Sequence, residues 1–128
     1  MNAEMPIAVI IDDDADIRTL LDRVLTQSGF QTVLTANAFD GVAAVEEFSP
    51  LVTMLDVSMP GMDGFAFARA LRQEGPWRDL PLIALTSRGA PEDIERGRSA
   101  GFTDYVAKFD RAALLESLAQ CLAAPVLA

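Results

Sequence analysis

Apolar residues are distributed along the chain in two alternating rhythms. The run PIAVIID (6–12) is continuous and rich in β-branched residues, as a strand buried on both faces of a sheet should be. The stretches 30–36, 51–56, 82–86 and 104–108 (FQTVLTA, LVTMLD, LIALT and DYVAK) also read as strands. Between them the apolar spacing becomes helical. Over 15–29, Ile17, Leu20, Leu21, Val24 and Leu25 share one helical face, and Gly29 is placed to stop the helix. Asn37 can cap a helix running to about Phe48. GFAFARALRQ (64–73) predicts a third helix and PEDIERGRSAG (91–101) a fourth. Pro91 falls in that helix's first turn, where a missing N–H costs nothing. A last helix is predicted from Asp110 to about Leu122, and GPWRDLP (75–81) is a loop with two prolines.

Five βα units in about 120 residues predict an α/β protein, a doubly wound parallel sheet with helices on both faces. No repeat, linker or low-complexity segment divides the chain, so 1–128 is expected to be one domain with its core over about 6–122. Ligands of such folds sit beyond the carboxyl ends of the strands, near the switch in strand order. What each strand ends on therefore matters. The first ends in Asp12-Asp13, the third in Asp56, the fourth in Thr86-Ser87 and the fifth in Lys108, while the second ends blandly. A lone Asp at a strand end is usually a turn former or helix cap, and Asp14 is expected to cap the first helix. A purely structural reading of each residue stands on its own terms; the co-occurrence of all of them at one rim argues against it.

Composition narrows the chemistry. The chain has no histidine, which removes His-based triads, His metal sites and phosphohistidine carried by the chain itself. Cys121 is the only cysteine, so there is no disulfide framework, and its setting at helical spacing in LAQCLAA predicts a buried structural thiol. Net charge is −9, and residues 1–63, with 11 acids against 2 bases, account for it; residues 64–128 hold 8 of each. Such a chain is a poor binder of nucleic acid, and its acidic half is suited to a cation. Apolar runs stay well short of the ~18–20 residues that span a bilayer. MNAEMP lacks the features of a signal peptide, so neither a membrane partner nor export is expected, and the cytoplasm is the expected location.

Three carboxylates brought together repel, so without a cation among them at least one should resist ionising. An oxygen-only cluster prefers a hard cation, and Mg²⁺, which keeps waters and shares ligands with phosphate, suits it better than a caged Ca²⁺. DDDADIR is not a calcium loop: Ile17 stands where the sixth-position Gly is required and Arg23 where the twelfth-position Glu is required. With Mg²⁺ present, one carboxylate can take up a phosphoryl group as a nucleophile. Lys108 and the Thr86 hydroxyl would then meet phosphoryl oxygens as charge spreads over them. The Pro60-Gly61 turn after Asp56 would leave room for the phosphate.

At these residues the sequence resembles the response-regulator receiver family, the CheY-like domains of two-component signalling. VIIDDD resembles the first strand with its acid pair, and MLDVSMPGMDG the phospho-acceptor segment. IALTS resembles the switch-hydroxyl strand, and AGFTDYVAK the lead into the lysine strand. The resemblance covers about Pro6 to Leu122. It implies a flavodoxin-like (βα)5 fold with strand order 2-1-3-4-5 and makes Asp56 the phospho-acceptor. Asp12, Asp13, Asp56 and the Ser58 backbone carbonyl become Mg²⁺ ligands, Thr86 and Tyr105 the switch pair, and Lys108 the counter-charge. The donor would be a histidine kinase or phosphotransfer protein, and a downstream protein would bind the face of the fourth helix, fifth strand and last helix. Such a domain catalyses its own phosphorylation and dephosphorylation but does not turn over external substrates.

Two features depart from the family, one at Phe109 and one at the pair Ser58 and Arg88. Its lysine is usually followed by proline, often in a cis bond; here Phe109 follows, which predicts a trans peptide. Ser58 and Arg88 flank the position of the hydrolytic water and are expected to alter phosphate lifetime. The second half resembles receivers attached to chemotaxis-type hybrid histidine kinases, so the chain is either a stand-alone regulator or an excised receiver. Two other readings stay open: a docking module that no longer uses phosphorylation, and an aspartate-nucleophile phosphatase.

Overall fold

The computed structural model describes residues 5–59, 63–73, 77–86 and 99–123. In chain order the elements are β1 (Ile7–Ile11), α1 (Ala15–Gln27), β2 (Gln31–Thr35), α2 (Ala38–Phe48), β3 (Val52–Asp56), α3 (Gly64–Gln73), β4 (Leu82–Thr86), β5 (Asp104–Ala107) and a C-terminal helix (Arg111–Ala123). The predicted helix over 91–101 falls mostly outside the described residues.

The strands form one sheet in the order β2-β1-β3-β4-β5, and every neighbouring pair is parallel. The order reverses between β1 and β3, which fixes where a ligand crevice opens. Strand side chains alternate between the two faces. Ala8, Ile10, Val52, Met54, Ile83 and Leu85 pack against α1 and the C-terminal helix. Val9, Ile11, Leu55, Leu82 and Ala84 pack with residues of α2 and α3 on the other face. β1, β3 and β4 are buried on both faces, as their unbroken apolar runs require. β2 is an edge strand and only half covered, leaving Leu34 41% exposed.

The helix ends follow local chemistry. Asp14 caps α1 by accepting from the Asp16 and Ile17 amides, and Asn37 caps α2 through the Asp40 amide. Past α1, Gly29 takes a φ of 94°, the left-handed conformation a helix stop favours. One expected core residue is displaced: Leu20 is 40% exposed while Ile17, Leu21, Val24 and Leu25 are buried. Leu20 lies at the edge of the apolar stripe, and the four buried residues already fill the contact with the sheet. Cys121 is buried on the inner face of the C-terminal helix, in the core, as predicted. No described helix is long and apolar enough to cross a membrane.

Candidate functional site

The end of β1 is fastened before it delivers its acid. The Asp12 amide donates to the Thr35 carbonyl at 3.1 Å, carrying the ladder with β2 one residue past the strand. The Arg18 guanidinium of α1 donates to the Asp12 carbonyl at 2.7 Å. The side chain is held as well, with Asp12 Oδ1 accepting from the Asp14 amide at 2.9 Å. A single short segment thus caps α1 with Asp14 and fixes Asp12, while Asp13 between them is exposed.

β3 ends on Asp56 itself, 2% exposed. Its Oδ1 accepts from the Ser58 amide at 2.8 Å, a local turn that starts the chain away from the sheet. β4 ends on buried Thr86, whose carbonyl accepts from the Lys108 amide at 2.7 Å. That bond places Lys108 just beyond β5 with its side chain directed back over the sheet. Lys108 Nζ donates to Asp56 Oδ2 at 2.9 Å and lies 3.1 Å from Asp12 Oδ2. The chain's only lysine therefore bridges the carboxylates of two adjacent strands.

The electrostatics follow from burial. Asp12 is fully buried, and desolvation pushes its pKa above the usual carboxylate value; the Asp14 amide and Lys108 oppose the rise and Asp56 adds to it. For Lys108, burial alone would lower the pKa, but hydrogen bonds and charge from Asp56 and Asp12 outweigh it and the net shift is upward. The acid of the cluster whose pKa rises is thus Asp12, and burial more than repulsion from Asp56 is the cause.

Asp12, Asp13 and Asp56 each offer a carboxylate oxygen, and these atoms lie within 4.8 Å of one another. Asp12 Oδ2 makes an ionic contact with Lys108 but no aligned hydrogen bond, so a buried acceptor faces the cluster with bonding capacity to spare. An all-oxygen donor set of this kind fits a hard divalent cation.

Tyr105 pairs with Ala84 in the β4–β5 register and packs, half-buried, against the core on the α2–α3 face. Thr86 pairs with Ala107, two positions on, so Thr86 and Tyr105 share one face on adjoining strands. Ser58 lies in the turn after Asp56. Arg88 and the Pro60-Gly61 turn lie outside the described residues. No described peptide is cis, so Lys108–Phe109 is trans, as the absence of proline predicts. Sequence reasoning gave Lys108 a phosphoryl oxygen as its partner and missed its hydrogen bond to Asp56 and its ion pair with Asp12. It also missed Arg18, whose one signal is its place in the first turns of the helix that follows the acid run.

A family model for the response regulator receiver domain matches residues 8–119. The transcriptional regulatory protein AfsQ1 of Streptomyces coelicolor is 38% identical over 104 residues, 81% of this chain and 45% of that protein. The sensor histidine kinase CheAY of Helicobacter pylori is 33% identical over 104 residues, 80% of this chain and 13% of that protein. The chain spans less than half the length of either relative. The chemotaxis protein CheY4 of Vibrio cholerae is similar in structure, with a TM-score of 0.84 at 28% identity over 91% of this chain and 98% of that one. This chain, with five parallel strands in the order 2-1-3-4-5 and acids at the ends of its first and third, belongs to the response regulator receiver domain family, the CheY-like receivers of two-component signalling.

Proposed function

We propose that the chain is a single receiver domain that accepts a phosphoryl group on Asp56 from a phosphohistidine of a partner kinase or phosphotransfer protein. The observation that carries this reading is the Lys108 Nζ–Asp56 Oδ2 bond of 2.9 Å beside the Asp12 and Asp13 carboxylates. A carboxylate oxygen of Asp56 forms the new O–P bond as the N–P bond of the donor breaks, and the donor imidazole leaves with the electron pair. Asp12, Asp13, Asp56 and the Ser58 carbonyl would hold Mg²⁺, which when bound neutralises charge on the phosphoryl oxygens. Lys108 shifts from the free carboxylate to a phosphoryl oxygen, the Thr86 hydroxyl meets another, and Asp56 remains fixed at the end of its strand.

Loss of the Lys108 bond to free Asp56 on phosphorylation supplies a signal. Thr86 and Tyr105 share a face of β4 and β5, and movement of Thr86 toward the phosphate opens space for the Tyr105 ring. The β5 surface and the start of the C-terminal helix then change shape for a downstream protein partner, which the segment from Arg88 to Arg111 would bind. Ser58 and Arg88, at the positions the family resemblance assigns to the hydrolytic water, set the phosphate's lifetime. The similarity to CheAY and CheY4 supports a chemotaxis-type pathway.

The test is incubation with Mg²⁺ and acetyl phosphate, followed by intact mass under mild conditions. The wild type gains one phosphate and Asp56→Asn gains none. If the wild type gains none even from a phosphorylated histidine donor, the chain is a docking module. Continued turnover of a small phosphomonoester would instead indicate a phosphatase.

A further inference from the structure

Away from the acid cluster, α2 and α3 leave a groove between them. Two adjoining hollows of about 180 and 370 Å³ share Val42, Glu46 and Phe67; Leu71 and Trp77 line one and Phe39 the other. Phe39 is 85% exposed, more than any other large apolar side chain described. A single exposed Phe requires no explanation, but one that continues an aromatic-lined groove forms a contiguous patch of the kind that binds other molecules.

The charge along the α2 wall of the groove is of one sign. α2 carries Asp40, Glu46 and Glu47, all exposed, and has no Lys or Arg. Glu46 and Glu47 lie in the last turn, where the negative end of the helix dipole makes acids unfavourable and a cation welcome. Glu46 lines both hollows and is the one charged residue in their linings among the described residues. A second copy of the chain docking through the same groove about a twofold axis would bring Glu46 toward Glu46, which disfavours self-association.

We propose that the α2–α3 groove docks a basic amphipathic segment of a partner protein, its apolar side chains entering beside Phe39, Phe67 and Trp77 and its Lys or Arg meeting Glu46. Aromatic anchors in a groove with an opposite charge at the rim are the usual division between affinity and specificity in helix-in-groove recognition. The groove contains none of the residues assigned to phosphorylation, so this interaction is a second contact that does not depend on them.

Trp77 is the only tryptophan, so its fluorescence reports from within the groove of the intact chain. The probe is a synthetic Leu/Lys amphipathic helix of about 15 residues, long enough to present a stripe of several turns. Its control is a peptide of the same composition with the stripe scrambled. The stripe peptide should shift Trp77 emission saturably, and the scrambled one should not. Phe39→Ser, a change at an exposed position that leaves the circular dichroism of the fold intact, and Glu46→Lys should each weaken binding about tenfold or more, the loss of a ~1.4 kcal/mol contact. Equal response to both peptides, or unchanged affinity in both variants, overturns the proposal. So does a Phe39-dependent dimer by sedimentation that the peptide does not disrupt, because the groove then belongs to a second copy.

Discussion

Lys108 and Asp12 make opposite contributions to the same cluster, and substituting each should move stability in opposite directions. Lys108 has a folded pKa above its ordinary 10.5 because Asp56 and Asp12 outweigh its burial. Its stabilisation is complete below 10.5 and is lost as pH rises through the higher folded value. Lys108→Met removes that cation and leaves two buried carboxylates facing each other. Orphaning a buried charge costs ~3–5 kcal/mol, and the opening toward exposed Asp13 should reduce this to about 2–3 kcal/mol in urea unfolding at pH 7.5 without divalent ions. Added Mg²⁺ should recover part of the loss. Asp12 has a folded pKa above 3.8 through burial, so its ionised form costs the folded state stability, a cost that appears as pH rises past 3.8. Asp12→Asn should therefore be more stable than wild type at pH 7, with the difference shrinking toward zero below pH 3.8. A less stable Asp12→Asn at neutral pH would mean that the Lys108 contact dominates at Asp12. The acids were legible in sequence because polar residues interrupt buried strands. The Lys108 bridge was not, because it depends on the path of the chain after β5.

Between β3 and α3 the geometry of the site depends on a glycine. A Cβ on Gly64 would lie 2.9 Å from Val57 Cα and 3.1 Å from Val57 Cβ, and Val57 directly follows Asp56. Backbone cannot swing aside as a side-chain end can, so Gly64→Ala must displace the turn that holds Asp56 Oδ1 to the Ser58 amide. Overpacking of this sort costs ~1–3 kcal/mol, and the acetyl phosphate reaction should slow as well. If stability falls and the phosphorylation rate does not, the turn and the carboxylate move independently. Gly29 is a useful contrast: its added Cβ would meet nothing within 4 Å, and only its φ of 94° resists substitution. The sequence pattern located α3 at Gly64–Gln73 from its apolar spacing, yet it carried no sign of the Val57 approach. Nor did it reveal Arg72, which donates to the Gly101, Trp77 and Leu80 carbonyls and so connects α3 to the loop before β4 and the entry to β5. Periodicity reports which face of an element is buried; it does not report which backbone atoms meet across the fold. The half-covered β2 shows the same limit, since edge position is a property of the whole sheet.

Across the whole molecule the acid cluster and Cys121 report on a single folding equilibrium from distant places. Cys121 is 4% exposed on the core-facing side of the C-terminal helix, and burial, with a smaller effect of Asp104, pushes its thiol pKa above 9.0. It should resist iodoacetamide at pH 8 in the native protein and react at the rate of a free thiol in strong urea. The informative experiment adds Mg²⁺ to the native protein. A cation that binds only the folded cluster lowers the unfolded population by the factor 1 + [Mg²⁺]/Kd. If Cys121 is reached only by global unfolding, its labelling should slow by that factor in wild type and not in a variant with Asp12 and Asp13 both changed to Asn. If instead the C-terminal helix opens locally, Mg²⁺ will leave the rate unchanged, because local opening does not break the distant cluster. The first result would make the domain a single cooperative unit in which the acid cluster and the C-terminal helix are coupled, as the proposed signal from Asp56 requires. The second would place that helix outside the cooperative unit and leave the proposed signal to β4 and β5 alone.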